Sequence, residues 1–287
     1  MRTTTRSGRM CLVTGEAVID VEQASAGRFS ADPLAVFEEW DAFRSWAAKL
    51  EPAGAHGPLE PSGAHGSTGP DGSVSPTPRQ VFAIGLNYRG HAEEAGLAAP
   101  ESPSVFTKFA TALTGPDTQL RLPSGRVDWE AELVVVMGRR AEHVAVGDAW
   151  SYVAGLTVGQ DYSEREVQSV GPLPQFSLGK SFPGFAPTGP VLVTADEFAD
   201  PDDLAIECLV NGESVQKSRT SSMIFPVAEL IARLSAVCPL LPGDLIFTGT
   251  PAGVGHARTP QRYLRSGDEV ITRIEGIGQL RQTCVAA

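Results

Sequence analysis

The sequence predicts an α+β fold that is mainly β, on three observations. After residue 79, short β-rich runs follow one another between turns: "RQVFAIGLNY", "ELVVVMG", "YVAGLTVGQD", "PVLVTA", "AIECLVNGE", "DLIFTGT" and "DEVITRIEG". Few helical stretches interrupt them, so the regular βαβ alternation of a Rossmann fold or an α/β barrel is missing. At 287 residues, 42% hydrophobic and 20% charged, the chain can bury one large core with a smaller domain beside it. An antiparallel or mixed β core with peripheral helices is expected, with no internal repeat at solenoid period.

The elements follow in chain order. "RMCLVTGEAVIDVEQ" has β-rich runs on either side of Thr14-Gly15, a hairpin signal. In "DPLAVFEEWDAFRSWAAKL", Phe37, Trp40, Phe43, Trp46, Ala47 and Leu50 recur at three- and four-residue spacing. Asp32 and Pro33 supply the cap and first turn of one amphipathic helix with a small core stripe. Residues 51–78 are dominated by Gly, Pro, Ser and Ala, which cannot bury enough apolar surface to offset ordering entropy. They read as a linker or long surface loop. His56 and His65 recur there in "GAHG" contexts, and solvent exposure accounts for them. The domains expected are 1–50, a small N-terminal α/β domain; 51–78, the linker; and 79–287, the main domain. Within the last, "MIFPVAELIARLSAV" is the clearest helix.

Charge and cysteine usage narrow the function classes. Net charge is −11, which argues against nucleic acid or an anionic membrane as partner but leaves room for a small anionic substrate. Cys11, Cys208, Cys238 and Cys284 are scattered, without C-x-x-C, as free thiols of a reducing cytosol would be. The start carries no apolar core of signal-peptide length, and no apolar run approaches a membrane span. A soluble cytoplasmic protein is expected.

In "VDWEAELVVVMGRR", Glu130 and Glu132 stand at the mouth of the most apolar run, Leu133 to Met137. Residues two apart on a strand point to one face, so the two carboxylates would repel unless a cation sits between them. A hard divalent ion suits such oxygens. Surface strands also carry E-x-E, and the pair alone does not decide between the two. Asp161 ends another apolar strand, "YVAGLTVGQD", where a cap is the commoner role. His91 and Glu94 in "NYRGHAEE" are three apart and share a helical face, so the carboxylate can orient the imidazole. Lys180, in "SLGKSF", is one of four lysines and stands between β-rich stretches, where a structural salt bridge is the plain reading.

"FAIGLNYRGHAEE", "DWEAELVVVMGR", "GLTVGQDYSERE", "FSLGKSF", "FAPTGPVLV", "IECLVNGE", "MIFPVAELIARLS", "LLPGDLIFTGTPAGVG" and "LRSGDEVITRIEGIGQL" occur in order from residue 82 to 280. As an ordered set they resemble the fumarylacetoacetate hydrolase family, in its acylpyruvate-hydrolase branch. The first 78 residues resemble more loosely the small N-terminal domain of many members. The resemblance implies a mixed β-roll, barrel-like catalytic domain, usually in a homodimer. It implies Mg2+ or Mn2+ held by Glu130, Glu132 and Asp161, which answers the repulsion between the paired glutamates. It assigns His91 as general base, Glu94 as its partner on a lid segment, and Lys180 to the bound substrate and its oxyanion. Arg165 and Gln168, four and seven residues past Asp161, resemble substrate-contacting positions. So does Thr250 in "TGTPAGVG", a Gly-rich turn whose backbone can approach an anion. Pro183 in "GKSFPGF" stands where many relatives have an acidic residue.

The function implied is divalent-metal-dependent hydrolysis of a C–C bond in a 2,4-dioxo acid, an acylpyruvate or fumarylpyruvate-like compound. The metal acts as Lewis acid towards an enolate leaving group, and the His-Glu pair activates water. The alternatives are an oxaloacetate-type decarboxylase or an oxo-acid tautomerase on the same site, and a non-catalytic metal-binding member.

Overall fold

The computed structural model describes residues 1–15, 17–50, 71–123 and 125–287. Its core is built from two sheets packed face to face. In the larger, the strands Ala17–Asp20, Arg9–Thr14, Arg2–Arg6, Ala186–Val193, Val153–Gln160, Ala131–Met137, Leu245–Phe247, Val81–Gly85 and Ser104–Thr107 lie side by side in that order. Leu113–Thr114 adds in parallel to Ala186–Val193. The smaller sheet runs Glu213–Arg219, Ala205–Val210, Glu269–Ile274, Gly278–Ala286 and Asp117–Leu122. Most pairings are antiparallel; Val81–Gly85 with Leu245–Phe247 and Asp117–Leu122 with Gly278–Ala286 are parallel. The mixed, mainly β architecture expected from the chain is thus found, as two layers rather than a closed barrel.

The centre of the larger sheet is covered on both sides. Ala131–Met137 and Val153–Gln160 are buried at every residue, which is why they read as continuous apolar runs instead of alternating ones. Polar side chains that cross between layers are satisfied there. Gln160 donates to Thr272 Oγ1 at 2.8 Å, and the Tyr162 hydroxyl to Gln282 Oε1 at 3.2 Å.

The N-terminal hairpin forms as expected, with Thr14 opposite Ala17. The strand before it, Arg2–Arg6, pairs with Arg9–Thr14 on one side and with Ala186–Val193 on the other, so these strands extend the main sheet. The expected single helix after Asp32 is two, Pro33–Glu38 and Trp40–Ala47, broken at Glu39. At 100° per residue, Phe37 and Trp46 would face opposite ways on one straight helix. The break re-phases the stripe, and Phe37, Trp40 and Phe43 are all buried. Asp32 caps the first helix through Leu34 N, with Pro33 in its first turn. The helix predicted near residue 223 spans Val227–Ser235.

Of the Gly/Pro/Ser-rich segment, residues 51–70, including His56 and His65, lie outside the described residues. Residues 71–78 pack on the sheet: Ser73 shares a 2.7 Å hydrogen bond with Thr188, and Ser75 donates to Gly243 O at 2.7 Å. The four cysteines are unpaired. Among the described residues no helix is long and apolar enough to cross a membrane.

Candidate active site

Antiparallel register brings the acids together. Ala131 lies opposite Gln160, and Asp161 N donates to Glu130 O at 2.9 Å. The start of one central strand and the end of its neighbour therefore meet at one end of the sheet. There one carboxylate oxygen from each of Glu130, Glu132 and Asp161 lies within 4.8 Å of the others, all buried.

Among the described residues, three cations surround this group, one of them shared with a fourth buried acid, Asp128. Lys180 Nζ lies 2.7 Å from Glu130 Oε2 and 2.6 Å from Asp161 Oδ2, and donates to Ser163 Oγ at 2.8 Å. Lys108 Nζ lies 2.5 Å from Asp161 Oδ1 and donates to the carbonyl of Lys180. Arg165 Nη2 is 2.7 Å from Glu130 Oε1 and 2.7 Å from Asp128 Oδ2, while its Nε donates to Asp128 Oδ2 at 3.0 Å. Burial resists ionisation of Glu130, but Lys180 and Arg165 bring its carboxyl down to about 2. Glu132 goes the other way: burial, then Asp161 and Glu130, push its carboxyl well above the usual range. Burial also lowers Lys108, against the pull of Asp161. Three buried acids that supply only oxygens, one of them held above its ordinary range by burial and by the other two, fit a hard divalent cation.

The Gly-rich turn ties the site together. Gly249 N donates to Glu132 Oε2 at 2.9 Å, Gly253 N to Glu94 Oε2 at 2.9 Å, and Gly255 N to Asp128 Oδ1 at 2.7 Å. Gly249 and Gly253 have φ of +98° and +108°, and a Cβ at Gly253 would stand 2.1 Å from Val215 O. The expected approach of this turn to an anion is thus made to three of the protein's own carboxylates. The Thr250 hydroxyl donates to Ala131 O at 2.9 Å and accepts from Gln216 at 2.8 Å.

His91 and Glu94 lie on the helix Arg89–Glu94, with Nδ1 2.7 Å from Oε1. That contact leaves Nε2 as the nitrogen for other work. Asp161 precedes, and is not part of, the helix that carries Arg165 and Gln168. That helix is only Arg165–Gln168, because Ser163 and Glu164 first pair with Val127–Asp128. Arg165 Nη1 donates to Gln168 Oε1 at 3.0 Å.

A cavity of about 620 Å3 adjoins the cluster, its lining including His91, Glu94, Glu130, Arg165, Gln168, Lys180 and Thr250. Of the three clustered acids, Glu130 is the one that borders it. Two hollows elsewhere are larger, about 850 and 870 Å3, but none of these residues lines them. The structure therefore gathers all nine residues singled out in the sequence. Pro183 sits apart in an exposed turn. Spacing did not single out Lys108 and Asp128. Asp128 extends the i, i+2, i+4 alternation of Glu130 and Glu132, a signal that could have found it. Lys108 is a lone cation in "SVFTKF", with no local partner to mark it.

The family described as "Fumarylacetoacetate (FAA) hydrolase C-terminal" matches residues 80–285. The chain is 45% identical over 203 residues to "Oxaloacetate tautomerase Fahd2a, mitochondrial" of Rattus norvegicus, covering 70% of this chain and 64% of that protein. It is 45% identical to the FAHD2A protein of Homo sapiens, again over 203 residues, 70% of this chain and 65% of that protein. The match thus spans just under two thirds of the length of these relatives. Among solved structures, a putative HpcE protein from Mycobacterium smegmatis is 51% identical over the whole of both chains, with a TM-score of 0.93. Fumarylpyruvate hydrolase from Pseudomonas aeruginosa, in complex with Mn2+ and pyruvate, is 34% identical over 73% of this chain and 90% of that one, with a TM-score of 0.66.

Proposed function

Because the chain belongs to the fumarylacetoacetate hydrolase family, we propose that it is a Mg2+- or Mn2+-dependent enzyme that hydrolyses a C–C bond of a 2,4-dioxo acid. The observation that carries the reading is that the His91–Glu94 pair and Glu130, one of the three clustered carboxylates, line one cavity. All these residues come from within residues 79–287, which supports placing catalysis there.

Glu130, Glu132 and Asp161 would hold the cation. When bound, it supplies Lewis-acid charge that fixes and polarises the oxygen pair of the substrate. The rest is work for the protein's own side chains. Glu94, held by the Gly253 amide, fixes Nδ1 of His91 and stabilises the imidazolium that forms. His91 takes a proton from water through Nε2, and the resulting hydroxide adds to C4. The C3–C4 bond breaks, and its electron pair passes into the enolate of the 2-oxo acid fragment. His91 returns its proton to C3. One water is consumed, and a carboxylic acid and a 2-oxo acid leave. Arg165, Gln168 and Thr250 border the space for the substrate carboxylate, and the Lys180 ammonium offsets negative charge that develops above the floor.

A second reading, tautomerisation of an oxaloacetate-type acid, is favoured by the names of the relatives at 45% identity. It asks His91 only to carry a proton between C3 and the 2-oxo oxygen. Assays of acylpyruvate cleavage and of oxaloacetate enol–keto exchange, each with EDTA controls, separate the two. In either, His91→Ala should lower kcat by roughly 10^2- to 10^4-fold, while Mg2+ or Mn2+ still raises the melting temperature. Unchanged turnover in His91→Ala removes the base assignment.

A further inference from the structure

The cavity divides sharply into a charged floor and an uncharged wall. On the floor, each of the three N–H groups of Lys180 has a partner in Glu130, Asp161 or Ser163. Arg165 directs four of its five N–H groups at Asp128, Glu130 and Gln168. What remains there for a ligand is one Nη1–H of Arg165 and the amide nitrogen of Gln168, enough for a single carboxylate.

The wall rises from Phe106. The Lys180 ammonium lies 5.1 Å from the Phe106 ring centroid, and Phe176 meets that ring edge-on at 5.6 Å. Leu86, Leu97, Pro100 and Pro174 continue the surface towards the mouth, where Leu97 is 58% exposed. Beyond Arg165 and Lys180, the described lining residues include only two that can become cationic, His91 and His256. His91 is committed to Glu94. His256 is engaged at Nδ1 by the Tyr263 hydroxyl at 2.9 Å, and burial and Arg165 disfavour its charged form. A second carboxylate placed against this wall would lose its hydration without gaining a cation.

Resting on the 2-oxo acid reading above, we infer that the acid taken by this site carries one carboxylate only. Its 2-oxo acid head lies on the polar floor, and its tail is an uncharged alkyl or aryl group laid along the Phe106–Phe176 wall.

The test is a comparison of kcat/KM with Mn2+ for acetylpyruvate, hexanoylpyruvate and benzoylpyruvate against fumarylpyruvate and oxaloacetate. Apolar burial adds roughly three- to fourfold per methylene, so hexanoylpyruvate should exceed acetylpyruvate by at least tenfold. Both dicarboxylic acids should fall at least tenfold below hexanoylpyruvate. Leu97→Arg, at an exposed position, should raise the ratio of fumarylpyruvate to hexanoylpyruvate at least tenfold. Equal or better turnover of either dicarboxylic acid by the wild type overturns the inference and leaves the 2-oxo acid reading standing. An unchanged ratio in Leu97→Arg also overturns it, because the tail then does not follow this wall. Failure to turn over any of the five acids overturns the functional reading itself and the inference with it.

Discussion

Asp20 shows how one side chain carries pH sensitivity outside the site. Burial resists its ionisation, but Arg9 Nε at 2.6 Å and the Gln23 amide at 2.9 Å outweigh that and hold the carboxyl below its usual range. A carboxyl lowered in the folded state adds stability that is fully present above its unfolded value, near 4. That stability is lost as pH falls through the lower folded value. Arg9→Met should therefore lower the urea midpoint at pH 7, by an amount worth up to about 1 kcal/mol for a half-exposed partner. The gap to wild type should narrow as the titration is repeated at successively lower pH below 4; a gap that does not change with pH would mean that Arg9 acts through packing alone. At the same scale, Glu130–Glu132 and His91–Glu94 were legible as pairs because the partners are two or three residues apart, whereas Asp161 read as a cap by itself and joined the glutamates only through the resemblance of the ordered motifs. Lys108 was not legible, because its partner Asp161 lies 53 positions away and only the sheet order brings the two together.

At the scale of elements, the short helices around the site depend on close backbone approach. A Cβ on Gly179 would stand 2.5 Å from Gln168 N and 2.8 Å from Gln168 Cα, against backbone that cannot turn aside. Gly179→Ala should push the helix Phe176–Gly179 away from Arg165–Gln168 and carry Lys180, the next residue, off the cluster. Overpacking of this kind costs typically 1–3 kcal/mol. Its distinguishing mark should be a fall in kcat/KM of at least tenfold at temperatures where circular dichroism shows the variant fully folded. Full activity there would show that the two helices can separate without moving Lys180. Hairpin, strands and the Val227–Ser235 helix were legible from periodicity and turn residues. The break at Glu39 was not, because spacings of three and four alternate in both a straight helix and a broken one. What decides is the accumulated rotation from Phe37 to Trp46.

For the whole molecule, the decisive fact is that the sheet brings acids from two central strands to one end, where helices and turns from distant parts of the chain close over them. Glu130, Glu132, Asp161 and Asp128 are buried with Lys180, Lys108 and Arg165, four acids against three bases. The fold therefore contains a concentrated excess of negative charge that a divalent ion relieves, and binding that favours the folded chain raises its stability. At a hundredfold excess over Kd the gain is about 2.7 kcal/mol, which for a chain of this size is a rise in melting temperature of roughly 5–10 °C. Glu132→Gln tests the charge argument directly, since it keeps the shape and the Gly249 hydrogen bond but removes one buried negative charge. Without metal, the variant should melt above the metal-free wild type; with Mg2+ or Mn2+, it should gain far less. The two melting curves should therefore approach or cross as metal is added. If Glu132→Gln instead melts lower without metal and gains as much from it, the acids are balanced by the lysines and arginine already in place, and the cluster is a structural ion-pair network.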